Sequence, residues 1–183
     1  MKDVNNMSEK GYTHLYYGNG KGKTTAALGL AIRAAGHGRN VVIVQFLKNW
    51  ACGELRSLET LPNITVLCAK PGSTTFVRDM TDKEIAETKS AHDDSLQCAI
   101  DMVASGLCDL LILDEVIDAY ELGVLSDSLL FDLVEKKPFE LELVLTGHNQ
   151  NSRLIENADY VTEMKKIKHP YDNGVNARKG IEF

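Results

Sequence analysis

Gly18-Asn19-Gly20-Lys21-Gly22-Lys23-Thr24-Thr25 decides the fold of this chain. Ahead of it, Tyr12 to Tyr17 (YTHLYY) is a short run rich in β-prone residues. Behind it, Lys23 to Ala35 is rich in Ala and Leu and free of proline. A strand that runs into a glycine-rich turn and then a helix is the setting a phosphate loop requires. Glycines let the backbone curl until successive N–H groups face one concavity, and the helix N-terminus adds partial positive charge. The segment Gly18, Asn19, Gly20, Lys21, Gly22, Lys23, Thr24 and Thr25 is thus expected to wrap a phosphate chain. Lys23 would reach the terminal phosphates, and the Thr24 hydroxyl would complete a Mg2+ (or Mn2+) shell. The strict G-x-x-x-x-G-K-[ST] spacing asks for glycine at position 17. This chain has Tyr17 there, with Gly18 and Gly20 shifted inward and an additional Lys21.

Outward from the loop, strand-like and helix-like runs alternate. The first helix is expected to end at Gly36 as its C-cap. Val41 to Leu47 (VVIVQFL) is almost wholly apolar, as a strand buried on both faces should be. Gly53 to Leu61 reads as a helix and Ile64 to Ala69 as a strand. Thr81-Asp82-Lys83-Glu84 has capping-box spacing and opens a helix to about Ala104. Asp109 to Val116 (DLLILDEV) is a third apolar strand, Ser126 to Glu135 a helix stopped by Pro138, and Leu141 to Thr146 another strand. Asn151 to Asn157 is a short helix, followed by a last strand from Asp159 to about Lys166. Lys70 to Asp79 is the clearest loop and is flexible enough to serve as a lid. Alternation of this kind predicts right-handed βαβ units and an α/β domain with a mostly parallel sheet flanked by helices. Residues 1–183 are expected to form one domain, with 1–11 flexible.

The bulk numbers narrow the function classes. The chain has 183 residues, 44% hydrophobic and 25% charged, the make-up of an ordinary globular domain. A net charge of −6 argues against a dedicated nucleic-acid binder. The sign is uneven, because Met164 to Phe183 holds five basic residues against two acidic ones. No apolar run approaches the roughly 18 residues of a membrane span, and the polar start does not resemble a signal peptide. A cytoplasmic location is expected. Cys52, Cys68, Cys98 and Cys108 lack C-x-x-C spacing, so neither a zinc ribbon nor a redox dithiol is indicated. Cys68, Cys98 and Cys108 sit in apolar stretches and are expected to pack as small hydrophobes. The five histidines are scattered and form no zinc-type cluster.

A second motif follows about 90 residues after the loop: the apolar strand Leu110 to Leu113 ends in Asp114-Glu115. Acidic residues at a strand end next to a phosphate loop suit a metal ion, and either Asp114 or Glu115 could supply the contact. Arg33, nine residues past Thr24, is a candidate ligand contact or a surface arginine. Gln45, polar at the end of a buried strand, either bonds locally or points into the site at the strand's carboxyl end.

These residues together resemble a known family. G-N-G-K-G-K-T-T-A-A, then Val42-Ile43-Val44-Gln45-Phe46-Leu47-Lys48, then LILDE, then Val144-Leu145-Thr146-Gly147 are similar to the ATP:corrinoid adenosyltransferases of the cobalamin pathway. The closing segment Lys168 to Phe183 looks like that family's C-terminal signature, and the likeness runs from about Tyr12 to the last residue. Members also lack the first glycine of the loop motif. The resemblance implies a single-domain P-loop (RecA-like) fold, with ATP and a reduced corrinoid as substrates. It further implies a flavin-type or other electron donor and a homodimer. Cobalt(I) would attack C5′ of the ribose and inorganic triphosphate would leave whole, with ATP bound in reverse relative to ordinary P-loop enzymes. Lys23, Thr24 and Glu115 are then the expected catalytic residues. Aromatic side chains are implied in displacing the axial ligand of cobalt. Some relatives carry Phe and Trp two residues apart there, whereas here Phe76 precedes Val77 and Arg78, and the only Trp is Trp50. His169, Arg178 and Lys179 in the tail are candidates for ATP phosphates or corrinoid amides.

Two other classes fit a phosphate loop. A small-molecule kinase would release ADP, and a non-catalytic ATP-binding module or motor-type ATPase would need a partner surface.

Overall fold

In the computed structural model, residues 9–48, 53–68 and 77–182 are described. Six strands form one parallel sheet: β1 (Thr13–Tyr17), β2 (Val41–Gln45), β3 (Ile64–Cys68), β4 (Leu110–Asp114), β5 (Glu142–Thr146) and β6 (Tyr160–Glu163). Their order across the sheet is β3-β2-β4-β5-β1-β6. Every pairing is parallel, with Tyr16 opposite Thr146 and Gln45 opposite both Asp114 and Cys68. The expected α/β class is therefore found, with a sheet that is parallel throughout.

Strand alternation sends side chains to two faces, and a helical layer covers each. On one face Val41, Ile43, Leu110, Ile112 and Val144 pack with Ala27 and Ala31 of α1 (Lys23–Gly36) and Leu58 of α2 (Gly53–Leu58). On the other, Val42, Val44, Phe46, Leu111, Leu113, Leu143 and Leu145 meet Leu96 and Ala99 of α3 (Asp82–Ala104). The same core takes in α4 (Val116–Glu121), α5 (Asp127–Lys136) and, through Leu154, α6 (Ser152–Asn157). The small Ala27 and Ala31 let α1 lie close on the sheet, where it covers β4 and β5.

Thr81 caps α3 as expected: its side chain accepts from the Glu84 N–H while the Glu84 carboxylate takes the Thr81 N–H. Other expectations need correction. Gly36 lies inside α1, and the left-handed glycine is Gly38 (φ 79). The run from Asp109 to Val116 is not all strand. Glu115 turns left-handed (φ 62), and Val116 already begins α4. β6 ends at Glu163 rather than near Lys166. Of the three expected to pack as small hydrophobes, Cys68 and Cys98 are exposed and Cys108 is buried, where desolvation pushes its thiol up to about 12. The expected lid falls mostly on 69–76, outside the described residues, as do most of 1–11. Among the described residues no helix is long and apolar enough to cross a membrane.

Candidate functional site

A wholly parallel sheet puts all six carboxyl ends on one edge, where ligands of open α/β sheets bind. The loop after β1 lies on that edge. Gly18 (φ 115) and Gly22 (φ 117) take left-handed backbone. Gly18 N–H donates to the His148 carbonyl (3.0 Å) and Gly20 N–H to the Met164 carbonyl (2.6 Å). A Cβ at Gly18 or Gly20 would stand 2.5 or 2.6 Å from that Met164 oxygen. The segment after β6 thus presses on positions 18 and 20 and makes glycine necessary at both. Asn19 Oδ1 accepts the Lys166 N–H (2.9 Å) and fastens the same segment.

At the start of α1, Gly22 offers no side-chain cap, and the first helical bond runs from Ala26 N–H to Gly22 O. An uncapped N-terminus of a 14-residue helix leaves its first amides and its dipole for an anion. Lys23 Nζ folds back onto the carbonyls of Gly18 (2.6 Å) and Gly20 (2.9 Å). Burial lowers its pKa, and Asp118, Glu115 and Asp114 oppose that shift in favour of the ammonium.

Asp114 is the hub. It is fully buried, and its Oδ1 accepts from Thr24 Oγ1 (2.9 Å) and Thr146 Oγ1 (2.8 Å). Its Oδ2 accepts from Lys48 Nζ (2.7 Å), which also lies 3.6 Å from Glu54. Thr146 in turn accepts the Glu115 N–H (2.8 Å). Glu115, next along, has its carboxyl pushed up to about 7, first by burial and then by Asp114 and Asp118, against the pull of Lys48. Asp118 bonds His148 Nδ1 (3.0 Å), and that bond raises the imidazole pKa. Of the two acidic candidates, Asp114 is the one joined to the loop threonine.

Gln45 is buried at the carboxyl end of β2, and its Nε2 lacks a hydrogen-bond partner. Such an orphaned donor beside a ligand edge suits an incoming acceptor. Lys21 Nζ donates to Glu182 (2.9 Å), and Arg178 bonds the same carboxylate (3.0 and 3.2 Å). The tail arginine is thereby brought to the loop. His169 instead caps a turn, accepting the Tyr171 N–H (3.2 Å). Arg33 is exposed in the last turn of α1, about 13 Å along the axis from Thr24, and does not join this cluster. Thr25 is exposed at the loop's end, and Phe76 lies outside the described residues. Sequence reasoning did not single out Lys48, Thr146, Asp118 or His148 as site residues. The last two share only their distance from the loop in sequence, and only the fold assembles them.

The comparisons agree in kind. The family model for ATP:corrinoid adenosyltransferase BtuR/CobO/CobP matches residues 9–183. Corrinoid adenosyltransferase CobA of Salmonella typhimurium is 33% identical over 97% of this chain and 88% of its own length. The corrinoid adenosyltransferases of Escherichia coli K12 and Pseudomonas aeruginosa are each 34% identical, over 97% and 96% of this chain and 88% and 85% of theirs. Among solved structures, a KaiC-like protein from Pyrococcus horikoshii superposes with a TM-score of 0.51 over 94% of this chain and 76% of that one. At 17% identity, that likeness concerns the fold alone.

Proposed function

This chain belongs to the ATP:corrinoid adenosyltransferase family, and we propose that its loop grips ATP so that triphosphate is the leaving group. It transfers the 5′-deoxyadenosyl group of ATP to the cobalt(I) of a corrinoid, in cobalamin biosynthesis or salvage. The cobalt(I) electron pair forms the cobalt–carbon bond, the C5′–O bond breaks, and triphosphate departs with that bond's electrons. The attack falls on carbon, so the chain's work is to place C5′ against cobalt and to stabilise the departing charge.

The observation that carries this assignment to residues is the uncapped start of α1 with Thr24 joined to Asp114. The backbone of Gly18 to Thr25, with Lys21 and Lys23, would hold the phosphates. A divalent cation, Mg2+ or Mn2+, suits the hard oxygens of Thr24 and Asp114, where the Lys48 ammonium already shows the carboxylate holding positive charge. When bound, it would neutralise charge on the triphosphate. Glu115 stands beside that pair. Gln45 would donate to an acceptor of bound ATP or corrinoid, and Arg178 would take phosphate oxygens in place of Glu182. His169 would act by shaping the tail, and Phe76 is the candidate aromatic against the axial ligand. We further propose a flavin-type or other electron donor, a cytoplasmic location and a homodimer. The edge strand β6, where Tyr160 and Val161 are exposed, offers a surface for the last.

The test incubates the protein with ATP, Mg2+ and chemically reduced cobalamin. A light-sensitive alkylcobalt product with one equivalent of triphosphate is expected. ADP with no cobalt alkylation would sink the assignment in favour of a kinase.

A further inference from the structure

His92 lies in the middle of α3, fully buried, and has no part in the chemistry above. Both of its ring nitrogens are engaged. Nδ1 is 2.8 Å from the Val124 carbonyl, and Nε2 is 3.3 Å from the Leu47 backbone nitrogen. A carbonyl only accepts and an amide N–H only donates, so a single neutral tautomer satisfies both: Nδ1–H to Val124, bare Nε2 to Leu47. Burial favours that neutral form, and Phe46 fixes the ring edge-on, its centroid 5.3 Å away.

Leu47 is one of two non-glycine residues with left-handed backbone among those described, at φ 58. The turn has a consequence for Lys48. Along β2, Val42, Val44 and Phe46 face the α3 side of the sheet, so a straight continuation would send Lys48 to that side too. Asp114 faces the α1 side, in line with Leu110 and Ile112, where Thr24 reaches it. The left-handed residue reverses the alternation and lets Lys48 Nζ come within 2.7 Å of Asp114. An L-residue holds such a conformation only where its surroundings impose it.

We propose that His92 is a positioning residue which, by accepting the Leu47 N–H, pins the turn that delivers Lys48 to Asp114. The inference rests on the adenosyltransferase assignment for its kinetic readout.

Two substitutions separate positioning from mere support. In His92→Asn the amide stands where Nδ1 stood, keeping the donation to Val124 and losing Leu47. In His92→Gln it stands where Nε2 stood, keeping an acceptor for Leu47 and losing Val124. Each loses one buried hydrogen bond, so a purely structural role predicts equal damage. We expect kcat/KM for ATP to fall about tenfold in H92N and to stay within about threefold of wild type in H92Q. In a Lys48→Met background the H92N step should vanish, since coupled residues are not additive. Equal losses in the two variants, or an undiminished H92N step without Lys48, would overturn the proposal. Nitrogen NMR of the histidine-labelled wild type needs no variant to fold. A protonated Nδ1 and bare Nε2 at neutral pH are expected, and the opposite tautomer would also overturn it. A wild type that alkylates no corrinoid would sink the functional assignment instead, leaving His92 to be judged by that spectrum.

Discussion

Two lysine–carboxylate pairs flank the phosphate loop, and they share a chemistry but not an environment. Lys48 and Asp114 meet at 2.7 Å with side chains 13% and 1% exposed, while Lys21 and Glu182 meet at 2.9 Å with 48% and 22%. Asp114 is also bound by two threonine hydroxyls from two different elements, so its side chain is built into the sheet edge. Glu182 is held by Arg178 and Lys21, and its carboxyl lies well below the usual range because of those bonds, that to Arg178 first. Both of its partners are exposed cations that a polyphosphate could claim. The buried pair is architecture, whereas the exposed pair is a contact that water, salt or ligand can replace.

Asp114→Ala should break the buried side most severely. It strands Thr24, Thr146 and Lys48 without their common acceptor. A loss of about 3 kcal/mol in denaturant unfolding is expected, together with undetectable adenosylation. A variant with near-wild-type stability would show that Asp114 does not hold that edge together. Lys23→Ala comes next and separates the two roles. Among the described residues its ammonium bonds to carbonyls of its own loop, so stability should hardly move while activity falls about 100- to 1000-fold. Unchanged turnover would mean that the loop is not the grip on the leaving group.

The buried side was also the more legible in sequence. β2 and β4 are buried at every residue, so VVIVQ and LLILD announce themselves as central strands by composition alone. Gly18 and Gly20 read in sequence as the curl of a phosphate loop, whereas the segment that presses on both, at Met164, lies about 145 residues away and left no local mark. Helix α4 was missed because VIDAYE continues the apolar run of β4. Only the left-handed Glu115 separates them, and a non-glycine at positive φ gives no compositional warning. Lys48 stood in sequence only as the last residue of the Val42 to Lys48 motif, and its entry into the site depends on a turn at Leu47 that no sequence pattern encodes. Cys98 sat among apolar neighbours, yet helical periodicity turned it outward between Leu96 and Ala99.

His92 sharpens the comparison through pH. Burial holds its imidazole below the ordinary value of 6.5 in the folded protein. Below that value the unfolded chain binds more protons than the native state, so this part of the stability is complete above pH 6.5 and fades as pH falls. His92→Gln, which cannot titrate, should show a shallower decline in denaturant stability from neutral to mildly acid pH. Parallel curves for the two proteins would mean that the ring is already charged, or exposed, in the native state.

The smallest effect belongs to the exposed pair, and its direction is the informative part. Glu182→Gln removes a carboxylate that competes for Lys21 and Arg178. With these groups in water and salt between them, the melting temperature should stay the same within error. Apparent ATP affinity should rise instead, by about two- to threefold at low ionic strength, and the gain should disappear at about 0.5 M salt as screening removes the competition. Calorimetric titration at two salt concentrations measures both. Weaker binding in the variant would reverse the conclusion. Glu182 would then be organising the two cations for the triphosphate rather than standing in its place, and the exposed pair would count as architecture after all.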